Sequence, residues 1–236
     1  LPHGGGLAID TEELPDLHDG TLDDWHAILS GPTFDAADFG SQNVGDGAAI
    51  GPPDLDVRVW LGWSQATNRI YAAIERLDDA YINAYEGGDP RTMWRADGVE
   101  LMVDGDRSGG RYNGFDLDGC GGWKPVASAA APYPDRCEPF RPGFQAQQWY
   151  ALAQSPDDQL LGANVFMNEW VTQRPWADAG GFVLPGPVHR SVIELMVTPF
   201  DELRAAGPDV SVQSQLLPGR TIGIQLSLPD WDVTGK

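Results

Sequence analysis

Glycine and proline interrupt this sequence throughout, so its apolar residues fall into short runs rather than long amphipathic stretches. The 236 residues include 29 glycines and 19 prolines. The clearest runs, residues 57–63 and 69–75, predict a hairpin of β-branched and aromatic residues around a polar connection. About eight such runs separated by turn signals indicate an all-β chain rather than a parallel α/β fold. We therefore expect one domain over residues 1–236, built as a two-sheet, antiparallel, jelly-roll-like β-sandwich.

The rest of the chain adds further strands, one helix and one insertion. Strands are predicted at residues 97–104, 144–154, 162–167, 188–197 and 221–228, with a short one near Arg111. A short helix is predicted at residues 199–206, because Thr198 is a candidate N-cap, Pro199 suits the first turn and Gly207 marks an end. Residues 114–143 are expected to be a long loop inserted between strands.

The charge of the chain narrows the classes of partner. Fifteen basic residues against 35 acidic ones give a formal net charge of −20. Such an excess repels phosphate backbones and anionic membrane surfaces, which argues against nucleic-acid and membrane binding. No apolar run approaches the ~20 residues of a membrane span. Divalent cations, which take oxygen ligands, and neutral partners such as sugars remain compatible with the composition.

The two cysteines bear on the compartment. Cys120 and Cys137 lie in a stretch rich in glycine, proline and aromatic residues. We expect a disulfide between them, which would indicate an oxidising compartment, whereas two unrelated thiols are the alternative. The first ten residues lack the basic and apolar regions of a signal peptide. The start is therefore that of a mature secreted chain whose leader has been removed, or an arbitrary boundary, and we expect a secreted or periplasmic protein.

Catalytic signatures are missing from the sequence. The four histidines, His3, His18, His26 and His189, show no metal-ligand spacing. No Gly-x-Ser-x-Gly elbow and no phosphate-binding loop occurs. Pairs of carboxylates suited to glycoside hydrolysis must exist by chance among 35 acidic residues, so they discriminate nothing. We expect a protein that is not itself an enzyme.

Several motifs follow one another along the chain. They are Asp-Gly-Thr-Leu-Asp-Asp-Trp at 19–25, the hairpin strands at 61–63 and 69–74, the run from Trp94 to Asp104, Glu-Leu-Met-Val-Thr-Pro-Phe-Asp-Glu-Leu at 194–203, the strand at 219–224 and Asp-Trp-Asp at 230–232. In this order they resemble the family 9 carbohydrate-binding modules and their DOMON-like relatives. The resemblance implies an antiparallel sandwich, stabilisation by calcium, and binding of sugar chain ends between aromatic side chains.

The resemblance also implies roles for Trp94 as a sugar platform and for Glu100 as a hydrogen-bonding partner of sugar hydroxyls. Elementary chemistry supports this pair, since the C–H face of a pyranose packs on an indole and buried hydroxyls need oriented partners. Trp94 precedes the predicted strand and is expected on its rim. Glu100 lies three residues after Asp97, so the two carboxylates face opposite sides of the sheet. The alternative is a core tryptophan and a glutamate paired with an arginine.

A second wall for the sugar is sought among the tryptophans outside the apolar runs. Trp123, Trp170 and Trp176 lie among polar residues, glycine and proline, and one of them is the candidate. The alternative is that they close one end of the sandwich. Arg111 or Arg107 would supply a forked donor to neighbouring hydroxyls.

Acidic turns are the candidates for the structural calcium. The expected ligands are Asp104 and Asp106, which alternate before a glycine-rich turn, together with Asp78, Asp79, Asp230 and Asp232. Solvated turns that carry aspartate are the alternative, because they are common.

We therefore expect a non-catalytic module that binds saccharide ends or short oligosaccharides, attached to or working beside a glycan-active enzyme. One alternative is a haem-b electron-transfer domain of the DOMON-like type, with axial ligands drawn from Met102, Met93, His189 and Lys124. Another is a glycan-active enzyme.

Overall fold

The computed structural model describes residues 9–10, 13–39, 54–109, 144–163, 170–184, 186–204 and 206–231. Over these ranges the chain forms one short α-helix, α1 (Asp23–Ile28), and short 3-10 turns at residues 36–38, 90–95 and 208–210. Its strands are β1 (Ile9–Asp10), β2 (Phe34–Asp35), β3 (Leu55–Ser64), β4 (Arg69–Asp78), β5 (Val99–Asp104), β6 (Ala146–Ala151), β7 (Leu161–Ala163), β8 (Ala177–Leu184), β9 (His189–Val197), β10 (Phe200–Glu202), β11 (Val212–Gln213) and β12 (Gly223–Ser227).

The strands form two main sheets. The larger sheet has the order β1-β3-β4-β9-β8, with β2 also paired to β3, and the smaller sheet has the order β12-β5-β6-β7. Strands β10 and β11 form a separate two-stranded ribbon. All pairs are antiparallel apart from β1, which runs parallel to β3. The predicted two-sheet antiparallel sandwich is confirmed.

Alternation along the strands fills the space between the two sheets. Successive side chains of a strand point to opposite faces, so every second residue of β3, β4, β5 and β6 enters the same core. A fully buried Val, Leu or Ile contributes roughly 1.5–3 kcal/mol. The residues that meet there include Val57, Val59, Leu61, Ile70, Ala72, Ile74, Val99, Leu101, Val103 and Trp149.

The other face of the larger sheet is covered by the N-terminal segment, residues 13–31. Trp25 of α1 is fully buried there, together with Leu17, Leu22 and Leu29. Gly180 on β8 makes the approach possible, because a Cβ at this position would collide with the carbonyl oxygen of Leu17. The molecule therefore has three layers, of which only the sheets were predicted.

The predicted helix at residues 199–206 is wrong, because residues 200–202 form β10. The amide and hydroxyl of Thr198 both donate to the carbonyl of Trp176, at 2.8 and 2.7 Å, so this side chain does not cap a helix. The Phe200 amide donates to Oε1 of Gln147, at 3.2 Å. Fully burying Phe200 in the core outweighs the local helix signals.

Strand β8 was missed by the sequence analysis. Its sequence, Ala-Asp-Ala-Gly-Gly-Phe-Val-Leu, has two central glycines and little apolar alternation. Gly181 is needed because an added Cβ would lie 2.8 Å from the Cα of Ala153. The predicted inserted loop at 114–143, the strand near Arg111 and both cysteines lie outside the described residues.

One carboxyl group is buried beneath the N-terminal segment. Glu194 of β9 is 1% exposed, and its Oε1 accepts a hydrogen bond of 2.6 Å from the indole Nε1 of Trp25. Burial raises the pKa of Glu194 to about 8, with Asp24, Asp19 and Asp16 adding to the rise and the Trp25 hydrogen bond opposing it. The side chain is therefore protonated in the folded protein at neutral pH.

We expect Glu194→Gln to stabilise the protein in a pH-dependent way. An ordinary glutamate has a pKa of 4.5, so above that pH folding must reprotonate Glu194, at a cost of about 1.4 kcal/mol per pH unit. Glutamine keeps an oxygen for the Trp25 indole without this cost. In urea unfolding between pH 4 and 9, the advantage of the variant should be small at pH 4, grow with pH and level off above about pH 8.

The matched control is Glu75→Gln, because Glu75 is also buried but accepts hydrogen bonds from Arg58 and Arg190, at 2.8 and 2.6 Å. This variant should lose stability instead. A Glu194→Gln gain that is equal at every pH would contradict a protonated Glu194.

Candidate functional site

The 3-10 turn at residues 90–95 sets the position of Trp94. Asp89 caps the turn through a 3.1 Å hydrogen bond from the amide of Arg91. The turn lies over the outer face of the smaller sheet, where a Cβ on Gly162 would come within 2.7 Å of Pro90 and 2.9 Å of the Met93 sulfur. Met93 is buried against this face, and the next side chain, Trp94, is 38% exposed.

Trp94 therefore lies on the rim just before β5, as predicted, and it is not a core residue. Its ring contacts the ring of Trp231 at a centroid distance of 6.0 Å and an interplanar angle of 45°. The indole Nε1 of Trp231 donates to the carbonyl oxygen of Trp94 at 3.2 Å. The guanidinium carbon of Arg95 lies 5.3 Å from the Trp94 ring centroid. Trp94 thus presents an aromatic surface with a second indole and a cationic donor beside it.

Glu100 lies on the same outer face of the smaller sheet, in the first part of β5. Its Oε2 accepts a 3.0 Å hydrogen bond from Nε2 of Gln148 on the neighbouring strand β6. Burial raises the pKa of Glu100, and the Gln148 hydrogen bond opposes that rise. Its cross-strand neighbour Tyr150 packs with Met93, which links the carboxylate to the turn that carries Trp94.

Asp97 lies on the inner side of the smaller sheet, so the predicted opposite orientation of Asp97 and Glu100 is confirmed. Asp97 is fully buried, and its two oxygens accept hydrogen bonds from the amides of Ile82, at 2.5 Å, and Trp231, at 2.8 Å. The carboxylate therefore ties the loop after β4 to the segment after β12.

Arg76 of β4 is the centre of this inner region. It is fully buried, and its Nη2 donates to Asp78 at 2.9 Å and to Asp230 at 3.1 Å. Its Nη1 donates to the carbonyls of Gly98, at 3.2 Å, and Pro229, at 2.6 Å. One guanidinium thus joins three distant parts of the chain.

The carboxylates around Arg76 are shifted toward their protonated forms. Burial raises the pKa of Asp97 to about 6, while Arg76 and the two amide donors oppose the rise. Burial also raises the pKa of Asp230 to about 7, with Arg76 opposing the effect and Asp78 adding to it. The surplus of negative charge over the single guanidinium is therefore reduced by bound protons near neutral pH.

This cluster contains two of the predicted calcium ligands, but its donor set does not fit a calcium ion. Asp78, Asp97 and Asp230 each bring one oxygen within 4.8 Å of the others. However, Arg76 already donates to Asp78 and Asp230, and both oxygens of Asp97 accept amide protons. The guanidinium supplies the positive charge that a cation would bring. Asp79 is exposed on the turn beyond β4, and Asp232 lies outside the described residues.

The turn after β5 holds the other pair of predicted ligands. Oδ2 of Asp104 accepts from the Gly109 amide at 2.9 Å, and Oδ1 of Asp106 accepts from the Ser108 amide at 2.8 Å. Oδ1 of Asp104 is buried without a hydrogen-bond partner. Burial raises the pKa of Asp104, the amides of Gly109 and Arg107 oppose the rise, and Asp106 adds to it. An orphaned carboxylate oxygen of this kind fits a cation better than the Arg76 cluster does.

The structure does not bring Trp170 and Trp176 to the Trp94 surface. The two rings pack edge to face at 5.4 Å, and both contact the buried Phe200. Arg69, at the start of β4, lies over Trp176. At the other end of β4, Arg76 and Asp78 contact the segment that carries Trp231. Ten strand residues span roughly 30 Å, so these tryptophans close the opposite end of the sandwich.

The remaining predicted donors are placed as follows. Arg107 is exposed in a left-handed turn with φ of 60°, and Trp123 and Arg111 lie outside the described residues. Among the residues named for the haem alternative, Met102 lies on the outer face of the smaller sheet, whereas His189 belongs to the larger sheet, opposite Asp78. Lys124 lies outside the described residues. The described part of the chain does not bring Met102 and His189 onto one face.

Two residues of the site, Trp231 and Gln148, were missed as site residues. Trp231 stands in the Asp-Trp-Asp motif, but its contact with Trp94 spans 137 residues. Gln148 was only part of a predicted strand; the register puts it opposite Met102, and its side chain reaches diagonally to Glu100. A search for exposed tryptophans next to acidic turns would have found Trp231, whereas no local signal indicates Gln148.

Comparison with solved structures finds similarity to a carbohydrate-binding module. A family 9 carbohydrate-binding module from Caldicellulosiruptor kristjanssonii, solved in complex with cellotriose, is similar over 93% of this chain and 74% of that chain. The TM-score is 0.47 and the sequence identity is 11%. It is a module of the family that the sequence motifs resemble. No family model and no curated protein sequence matches the chain. Among the described helices, none has the length and hydropathy of a membrane span.

We expect Arg76→Leu to destabilise the fold by about 3–5 kcal/mol, because it leaves buried carboxylates without their cation. The measurement is chemical unfolding at pH 7. Arg91→Leu is the matched control, since Arg91 pairs with Asp89 at 2.7 Å while both side chains are partly exposed, and such a pair contributes about 0–1 kcal/mol. Equal losses in the two variants would contradict a central role for Arg76.

Proposed function

We propose that this protein is a non-catalytic module that binds saccharides on the surface formed by Trp94, Glu100 and Gln148. The observation that carries the proposal is the exposed Trp94 indole on the same sheet face as the half-buried carboxylate of Glu100 and its buried amide partner Gln148. The motif resemblance implies the same pair of residues, Trp94 and Glu100.

The chemistry of these groups suits a sugar. The C–H face of a pyranose stacks on an indole and buries apolar surface on both sides. The carboxylate of Glu100 accepts hydrogen bonds from hydroxyls, while the amide of Gln148 and the guanidinium of Arg95 donate them. Neutral saccharides avoid the repulsion that a net charge of −20 exerts on anionic ligands.

The same geometry favours binding over hydrolysis. A glycosidase needs two carboxyl groups that face the bond at a distance of about 5–10 Å. Glu100 is paired with an amide, and the neighbouring carboxyl group of Asp97 faces the inside of the sandwich. We propose further that the module is secreted or periplasmic and works attached to, or beside, an enzyme that acts on the same polysaccharide.

We expect Trp94→Ala to abolish saccharide binding and to leave thermal unfolding nearly unchanged, because the side chain lies on the rim. A glycan array with neutral oligosaccharides identifies the best binder, and calorimetry then measures its affinity for each variant. Trp94→Phe should retain part of the affinity, since an aromatic surface remains. Wild-type affinity in Trp94→Ala would remove this residue from the site.

Glu100 provides a second and separate test of the surface. Glu100→Gln keeps an oxygen acceptor in place and should weaken binding less than Glu100→Ala, which leaves the amide of Gln148 without its partner. Both variants are compared by calorimetry at pH 7. If neither one changes affinity while Trp94→Ala does, the ligand contacts Trp94 and not the sheet face. A Soret band in the purified protein would instead support the haem alternative.

We propose that a structural calcium, if the protein uses one, binds at the Asp104–Asp106 turn. Support comes from the buried Asp104 oxygen that lacks a hydrogen-bond partner. Calcium should raise the thermal unfolding midpoint of the wild type relative to a chelator, and Asp104→Asn should remove that difference. Asp78→Asn serves as control and should retain it. The same midpoint for the wild type in calcium and in chelator would refute calcium binding here.

A further inference from the structure

We propose that Trp231 is a positioning residue that fixes the Trp94 indole for binding, and that the buried Arg76–Asp97 network exists to hold Trp231 in place. The inference rests on the proposed function of Trp94. It concerns a part of the chain, residues 229–231, that we refer to as the C-terminal strap.

The backbone of the strap is attached to the sandwich at three successive residues. Arg76 donates to the Pro229 carbonyl at 2.6 Å and to the Asp230 carboxylate at 3.1 Å. The amide of Trp231 donates to Asp97 at 2.8 Å. Because Arg76 and Asp97 are both fully buried, the sandwich side of each anchor is fixed, and the strap is held in one register against β4 and β5.

The side chain of Trp231 reaches from this anchored backbone to the binding surface. Its indole Nε1 donates to the carbonyl oxygen of Trp94 at 3.2 Å, and the two rings are in contact at 6.0 Å. The exposed side chain of Arg95 also lies over the Trp94 ring, and it is long and flexible. Of these two ring contacts, Trp231 is the one whose backbone is anchored to the buried Asp97. A side chain that is ordered before binding loses less entropy when the ligand arrives.

Burying the charged groups of this network costs free energy. Burying a guanidinium and the carboxyl groups of Asp78 and Asp97, next to the more exposed Asp230, carries a desolvation penalty that ion pairing only partly offsets. Replacing such a buried network as a whole by apolar residues of similar volume is often no less stable. A network of this kind provides a unique arrangement instead of extra stability. Asp97 joins this network to two segments, because it accepts the amide of Ile82, in the loop before the 3-10 turn, and the amide of Trp231, in the strap. The loop and the strap flank Trp94.

The test compares Trp231→Ala and Trp231→Phe with the wild type. Two indoles in contact give an exciton couplet in far-ultraviolet circular dichroism, and both variants should lose the contribution of the Trp94–Trp231 pair. We expect Trp231→Ala to weaken the oligosaccharide that the wild type binds best by about tenfold, an amount typical of losing one preordered side chain. Trp231→Phe keeps a ring but no N–H donor, and its affinity should lie between the two.

The matched control is Trp176→Phe, which disrupts a different indole pair, Trp170–Trp176, at the opposite end of the sandwich. It should change the circular dichroism and leave the affinity as in the wild type. Thermal unfolding monitors all three variants, and Trp231→Phe carries the test should Trp231→Ala not fold.

The outcomes separate this inference from the proposed function. Wild-type affinity in Trp231→Phe and Trp231→Ala, together with loss of binding in Trp94→Ala, would overturn the positioning role and leave the binding site intact. If the wild type binds none of the oligosaccharides, the proposed function fails. The positioning role is then decided by the couplet and by acrylamide quenching of Trp94 fluorescence, obtained as the difference between each protein and its Trp94→Phe counterpart because the chain has nine tryptophans. An unchanged couplet and unchanged quenching in Trp231→Phe overturn it, whereas loss of the couplet with stronger quenching supports it.

Discussion

The buried guanidinium of Arg76 is the interaction on which one end of the sandwich depends. It bonds to Asp78 on its own strand, to the carbonyl of Gly98 before β5, and to Pro229 and Asp230 after β12. Because a buried charge is unfavourable without its partners, these segments hold together in one arrangement or not at all. The larger and the smaller sheet thus share more than an apolar core at this end. Hydrophobic contacts alone tolerate small shifts between layers, whereas a guanidinium with four partners does not.

The candidate site is built on the outside of this fixed end. Asp97 faces the network, and Glu100, three residues later, faces outward beside Gln148. The 3-10 turn carries Trp94 over the same outer face, with Met93 as its buried anchor. Residues 93–100 therefore supply both Asp97, which bonds to buried parts of the sandwich, and the two candidate site residues Trp94 and Glu100. The opposite end of the sandwich is closed by Trp170, Trp176 and Phe200, away from the Trp94–Trp231 pair.

Buried carboxyl groups on the larger sheet are neutralised in two ways: by guanidinium groups, as at Asp78 and Glu75, and by a proton, as at Glu194. On the inner face, the carboxylates around Arg76 are balanced by a permanent cation and by protons. On the outer face, Glu194 accepts a hydrogen bond from the indole of Trp25 and has no cation beside it among the described residues. Its carboxyl group is therefore neutral because it is protonated. An acidic protein has few basic residues with which to pair buried acids, and both solutions follow from that shortage.

The sequence by itself determined the strands with clear alternation and the sandwich class. It also determined the rim position of Trp94 and the opposite faces of Asp97 and Glu100. These features follow from period and spacing along one strand, which are local properties. Local signals misled at residues 199–206, where capping residues suggested a helix and burial of Phe200 made a strand, and they were silent at the glycine-containing β8. Only the tertiary structure decided that Arg76 would neutralise Asp78 and Asp230, that Gln148 would meet Glu100, and that Trp231 would lie on Trp94. These partners come from segments up to 154 residues apart, and such pairings are set by sheet register and core packing rather than by any feature of the neighbouring sequence.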